Sequence, residues 1–149
     1  MELNRKRFEE LSVNELYDIL KLRVDVFVVE QNCPYHEIDD IDQAAYHVYL
    51  KDDDGIQAYL RVISAGVAFD EVAIGRVVTR KRRCGLGRQI LAAGIQTAVD
   101  AFNATKIELE AQVHAKSLYE KAGFKQISDE FLEDGIPHIR MLLEIEQAL

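Results

Sequence analysis

Arg82, Arg83, Cys84, Gly85, Leu86, Gly87 and Arg88 form the run with the clearest chemistry in this sequence. Glycines at 85 and 87 keep side chains away from the backbone and tolerate the positive φ of a tight turn, so a bulky anion can approach the amides. A β-branched run ends just before, at Val77-Val78-Thr79, and an amphipathic segment follows to Phe102. A helix starting there presents its unpaired N–H groups and the positive end of its dipole, and Arg82, Arg83 and Arg88 add full charges. Together these describe a pyrophosphate cradle. A nucleotide P-loop is a poorer match, because Gly87 is followed by Arg88-Gln89 and not by Lys-Ser/Thr.

A second candidate region is acidic. From Val24 to Leu50 there is no Lys or Arg, while Glu30, Glu37, Asp39, Asp40 and Asp42 crowd a stretch containing Pro34. Such a stretch is either a solvated loop or a wall that attracts a cationic amine. Its acids lack the ligand order and central glycine of an EF-hand. Cys33 and Cys84 show no CxxC or Cys/His spacing, so neither a metal site nor a disulfide framework is expected.

These groups need elements to hold them. At 149 residues and 48% hydrophobic, the chain suits one compact domain over 1–149. A net charge of −8, with 26 acids against 18 bases, argues against a nucleic-acid partner. With neither a membrane-length apolar run nor a signal-peptide core after the charged start, the sequence reads as soluble and cytoplasmic. Ser12 and Glu15 make a capping box before Leu16, Ile19, Leu20, Val24, Phe27 and Val28, whose spacing predicts a helix ending before Pro34. Arg23 lies on or beside that stripe, either snorkelling to water or turned inward onto an acid of the next loop.

Strands are expected at about 1–8, 44–51, 56–65, 71–79, 105–111 and 138–143, with Asp54-Gly55 marking a hairpin. A turn centred between Ala68 and Phe69 sets Arg61 directly opposite Arg76, which requires a carboxylate between them, from the acidic loop or from a substrate. Leu91, Ile95, Ala98, Val99 and Phe102 line a second helix, and 115–122 a short third one. Hairpins in the first half and alternating elements in the second predict an α/β protein of the α+β kind, a mixed sheet with helices on both faces.

The R-x-x-G-x-G of Arg82 to Gly87 and the run Ala115-Lys116-Ser117-Leu118-Tyr119-Glu120-Lys121-Ala122-Gly123-Phe124 together resemble the GNAT acetyltransferase superfamily. The runs Val26 to Tyr35 and Glu133 to Ile139 are similar to its ElaA-like branch. The resemblance implies an acetyl-CoA-dependent N-acetyltransferase with a splayed, mainly antiparallel sheet. It places the pyrophosphate on the amides of Arg83, Cys84, Gly85, Leu86, Gly87 and Arg88 beside Arg82. Backbone groups of Val77, Val78 and Thr79 would face the pantetheine arm, and Gln112 stands where many members carry a coenzyme-holding Asn.

Aminolysis of a thioester needs a neutral amine, a donor for the oxyanion and a proton for the departing thiolate. By resemblance Tyr119 is the general acid, although a helix tyrosine alone reads as core. The general base is open between His138, Glu110 and Glu71, or a water chain without a dedicated base. Glu30, Glu37, Asp39 and His138 are expected to shape the site for a small-molecule or peptide amine. A non-catalytic acyl-CoA sensor is the alternative, and the oligomeric state, homo-oligomer included, is open.

Overall fold

The computed structural model describes residues 1–82 and 84–146. Strand β1 (Glu2–Arg7) leads to helix α1 (Val13–Val24), and a long loop then reaches β2 (Ala45–Asp52), β3 (Gly55–Ile63) and β4 (Val72–Thr79). Helix α2 (Leu86–Phe102), β5 (Lys106–Gln112) and helix α3 (Lys116–Lys121) follow, then β6 (Lys125–Gln126), β7 (Phe131–Glu133) and β8 (Ile136–Glu144). The strands form one sheet in the order β1-β2-β3-β4-β5-β8-β6, with β7 joined to β8. Among the described residues no helix is long and apolar enough to cross a membrane.

The predicted capping box is present. Ser12 Oγ accepts from the Glu15 N–H at 3.0 Å and Glu15 Oε1 accepts from the Ser12 N–H at 2.8 Å, which satisfies two of the amides a helix start leaves free. Beyond Val24 the helix widens into a π turn, Asp25–Glu30. There the Gln31 N–H reaches the Val26 carbonyl and the Cys33 N–H reaches that of Val28, and the helix ends short of Pro34.

Alternation along β2 and β3 separates two cores. Tyr49 and Tyr59 pack under α1 with Ile19, Leu22 and Val26, while Val48, Leu50, Ala58 and Leu60 pack with α2 residues Ile90 and Leu91 on the other face. Gly94 permits this close approach, since a Cβ there would lie 2.6 and 2.8 Å from the Leu60 methyl carbons. The mixed sheet with helices on both faces is the architecture expected.

Two features of β4 create the site. Its parallel pairing with β5 covers Val72 opposite Ile107 and Ala73 opposite Glu108, after which the strands diverge and open a cleft. On the β3 side, Tyr59 pairs with Val78 but Arg61 pairs with Gly75, so Leu60 faces both Arg76 and Val77. This β-bulge puts Arg76 at φ +54°. Arg61 is therefore opposite Gly75 and not Arg76. The expected register holds only at the β4 end beyond the bulge. The short strands β6 and β7 were not anticipated.

Candidate active site

The cleft between β4 and β5 holds about 800 Å³ and is lined by Val77, Val78, Thr79, Arg82 and Gly87 on one wall. Glu110, Gln112, Tyr119, Glu133 and His138 line the other, under a loop that contributes Gln31, Tyr35 and Asp39. It therefore brings together residues from β4, the glycine turn, β5, α3 and β8.

At one end stands the glycine turn. Gly85 caps α2 at φ +79°, a left-handed conformation that suits glycine. The first helical bond runs from the Gln89 N–H to the Gly85 carbonyl at 3.1 Å, which leaves the N–H groups of Leu86, Gly87 and Arg88 outside the ladder. At Gly87 the atoms nearest a Cβ would be the Leu118 methyls, at 3.5 and 3.7 Å, and Thr79 Cγ2 at 4.0 Å, ordinary van der Waals contacts. Leu86 is buried, while Cys84 and Arg88 are exposed. Arg83 lies outside the described residues. Arg82 Nη1 donates to the Thr79 carbonyl at 2.7 Å and its Nη2 to Glu30 at 3.1 Å. Free amides, a positive dipole end and a vacant Cβ position fit the phosphates of a coenzyme A thioester.

Midway along the cleft, Tyr119 is buried and meets Phe124 edge to face at 6.0 Å. Burial pushes its phenol up, so it stays protonated at neutral pH. Gln112 and Gln31 exchange two hydrogen bonds of 3.1 Å, and His114 Nε2 lies 2.6 Å from Gln112 Oε1. Gln31 thus ties the loop after α1 to β5.

At the far end, His138 donates from Nδ1 to the Ile136 carbonyl at 2.7 Å and stacks on Phe131. Nε2 then carries the lone pair of the neutral ring. Glu110 is pushed up to about 7, first by burial and then by a hydrogen bond and like charge from Glu133. Glu71 precedes β4 and does not line the cleft.

The acidic loop differs from its expected role. Arg23 is wholly buried, so it does not snorkel. It donates to Glu37 Oε2 at 2.6 and 2.9 Å and to Asp42 at 2.7 Å. Arg61 bonds Asp39 and Asp42, and Arg76 bonds Glu37 and Asp39. The carboxylate expected between Arg61 and Arg76 is Asp39, because the bulge turns Arg76 toward the same loop. Glu37 is 4% exposed and its second oxygen accepts from the Tyr35 phenol at 2.6 Å. It is therefore closed to an ammonium group. Asp39 lines the cleft but is held at about 2, since the Arg61 hydrogen bonds and charge outweigh the upward push of burial. Glu30 is paired with Arg82 beside the glycine turn and not at the acceptor end. Three guanidiniums thus match three carboxylates, and the loop is fastened to the sheet.

Sequence reasoning singled out neither Glu133 nor Gln31 individually. Both fall inside runs that carried the resemblance, but nothing in local spacing marks them as site residues.

This is the cleft of a GNAT fold, and the chain belongs to the GNAT acetyltransferase family: the acetyltransferase (GNAT) domain matches residues 15–145. Within it, protein ElaA of Escherichia coli is 38% identical over 93% of this chain and 94% of its own. Its crystal structure superposes with a TM-score of 0.89 at 35% identity, covering 96% of this chain and 99% of that one. An acyl-CoA N-acyltransferase from Pseudomonas aeruginosa matches at a TM-score of 0.90 and 37% identity, with 96% and 99% covered. A UPF0039 protein of Schizosaccharomyces pombe is 43% identical over 97% of this chain and 98% of its own.

Proposed function

We propose that this protein transfers an acetyl group from acetyl-CoA to the primary amine of a small molecule or peptide, by direct attack with both substrates in the cleft. One observation carries the reading: a single cleft joins an anion-binding glycine turn, a protonated buried tyrosine and a carboxyl pushed up to about 7.

Acetyl-CoA in the cleft would supply an acyl thioester open to aminolysis. The amides of Leu86, Gly87 and Arg88, with the charges of Arg82 and Arg88, hold its phosphates. The backbone of Val77, Val78 and Thr79 and the Gln112 amide orient its arm. Glu110 takes a proton from the incoming ammonium, and His138 Nε2, 3.9 Å from Glu133, lines the same cleft. Tyr119 gives its phenolic proton to the departing sulfur. The loop carrying Gln31 and Tyr35 forms part of the cleft wall.

Calorimetric titration of acetyl-CoA, run beside Gly87→Glu, tests the binding half. Binding in the parent and none in the variant is expected, because the vacant Cβ position would then carry a negative side chain. No binding by the parent refutes the reading. A thiol-release screen over primary amines tests the chemistry, with Tyr119→Phe expected to slow release about 10²–10⁴-fold. Unchanged release in that variant removes Tyr119 as the acid, and tight binding without release from any amine favours the sensor.

A further inference from the structure

Strand β8 lies between β5 and β7, with His138 opposite Gln112 on one side and Phe131 on the other. Glu133 ends β7, and its Oε2 lies 3.9 Å from His138 Nε2. The same carboxylate is near enough to Glu110 on β5 to push it up, by hydrogen bonding to its protonated form and by like charge. Glu110, Glu133 and His138 all line the cleft.

Arg140 offsets the upward push on Glu110 only in part. Arg140 is opposite Glu110 in the β5–β8 register, but its Nη2 donates to both Glu108 oxygens at 2.8 Å and its guanidinium lies 5.3 Å over the Phe69 ring. From the covering loop, Asp39 is occupied by Arg61 and Arg76, the Tyr35 hydroxyl by Glu37, and His36 also lines the cleft. From β5 and its continuation come Glu108 and His114, and α3 contributes Tyr119.

We infer that Glu133 is a positioning residue for proton removal: its carboxylate accepts the O–H that forms when Glu110 deprotonates the acceptor ammonium. The inference rests on the acyl-transfer reading above. One N–H bond of the ammonium breaks and one O–H bond forms on Glu110. Glu133 stays ionised throughout, and the amine keeps the electron pair for its attack. Two adjacent carboxylates disfavour double ionisation, so Glu133 strengthens Glu110 as a base beyond what burial does. A glutamine at 133 keeps the size and the acceptor oxygen but loses the charge.

Side-chain carboxyl ¹³C NMR titration of the full chain tests this without any acceptor. In the parent, one Glu carboxyl titrates near 7 and is absent from Glu110→Gln. In Glu133→Gln its midpoint falls by about one pH unit or more, and in Glu133→Asp it stays raised. An unmoved midpoint in Glu133→Gln overturns the inference, as does a parent in which no carboxyl titrates above about pH 6. Acetyl-CoA calorimetry on the same samples separates the two claims. Intact binding with an unmoved midpoint refutes the role of Glu133 alone, whereas a parent that binds no acetyl-CoA refutes the acyl-transfer reading.

Discussion

Replacing Arg23 by Met keeps much of the side-chain volume and deletes one charge from a buried network. Arg23 is fully buried, with Nε and Nη2 on Glu37 and Nη1 on Asp42. Arg76 still reaches Glu37 and Arg61 still reaches Asp42, so the variant holds three carboxylates against two guanidiniums. Leaving one buried carboxylate uncompensated costs about 3–5 kcal/mol. That is a large part of the roughly 5–15 kcal/mol that holds a domain folded. The pH dependence gives a second signature. In the parent, burial pushes Asp42 up but Arg23 outweighs it and holds it low, so this contribution is intact above the ordinary carboxylate range. In the variant the unmatched carboxylate is pushed above that range, and its penalty is relieved as pH falls through its raised value. Urea unfolding followed by circular dichroism should show the large loss at pH 7 and a smaller one near pH 4.5. Arg23→Met combined with Glu37→Gln, which restores the charge match, should be less destabilised than the sum of the single variants. A loss below about 1 kcal/mol at pH 7, or a loss equal at both pH values, refutes the charge-matching account.

Gly94→Ala should destabilise the fold by about 1 kcal/mol, as overpacking against Leu60 exceeds the gain in helix propensity. In a Leu60→Ala background the same change should become stabilising, and urea midpoints that fail to reverse sign count against the close approach of α2 to β3. Acid unfolding supplies another test. Asp39 is held at about 2 against an ordinary 3.8, a difference of about 2 kcal/mol that is present above pH 4 and lost as pH falls through 2. The urea midpoint should therefore decline between pH 4 and pH 2, and a midpoint still flat at pH 2 contradicts this linkage.

What could be read from the sequence was local. Ser12 and Glu15 cap a helix three residues apart, and Asp54-Gly55 marks the hairpin between two strands. The glycine turn follows from φ and spacing, and it lies where expected. Arg23 was ambiguous because the same position on a helical stripe serves a snorkelling or an inward arginine. The partner that decides, Glu37, lies beyond a π turn with no sequence signal. The bulge at Arg76 was invisible because an extra residue on one strand is a property of the pair. Glu133 lies in the run that carries the resemblance, but nothing in its spacing singles it out. Its meeting with Glu110 depends on β8 inserting between β5 and β7, which no local pattern encodes.

The charge distribution also changes what the acidic stretch means. Glu37, Asp39 and Asp42 are matched by arginines from α1, β3 and β4, so the acids of this loop fasten it down and add little field to the cleft. Once they are set aside, Arg82 and Arg88 stand at the glycine turn and Glu110 with Glu133 on the β5–β8 wall. The exposed arginines act through water and are weakened by salt beyond about 8–10 Å. The partly buried Glu110 is screened less and keeps its influence on a nearby ammonium. The cleft is thus polarised, basic at the glycine turn and acidic at Glu110 and Glu133, an order set by backbone topology together with the consumption of the loop's acids.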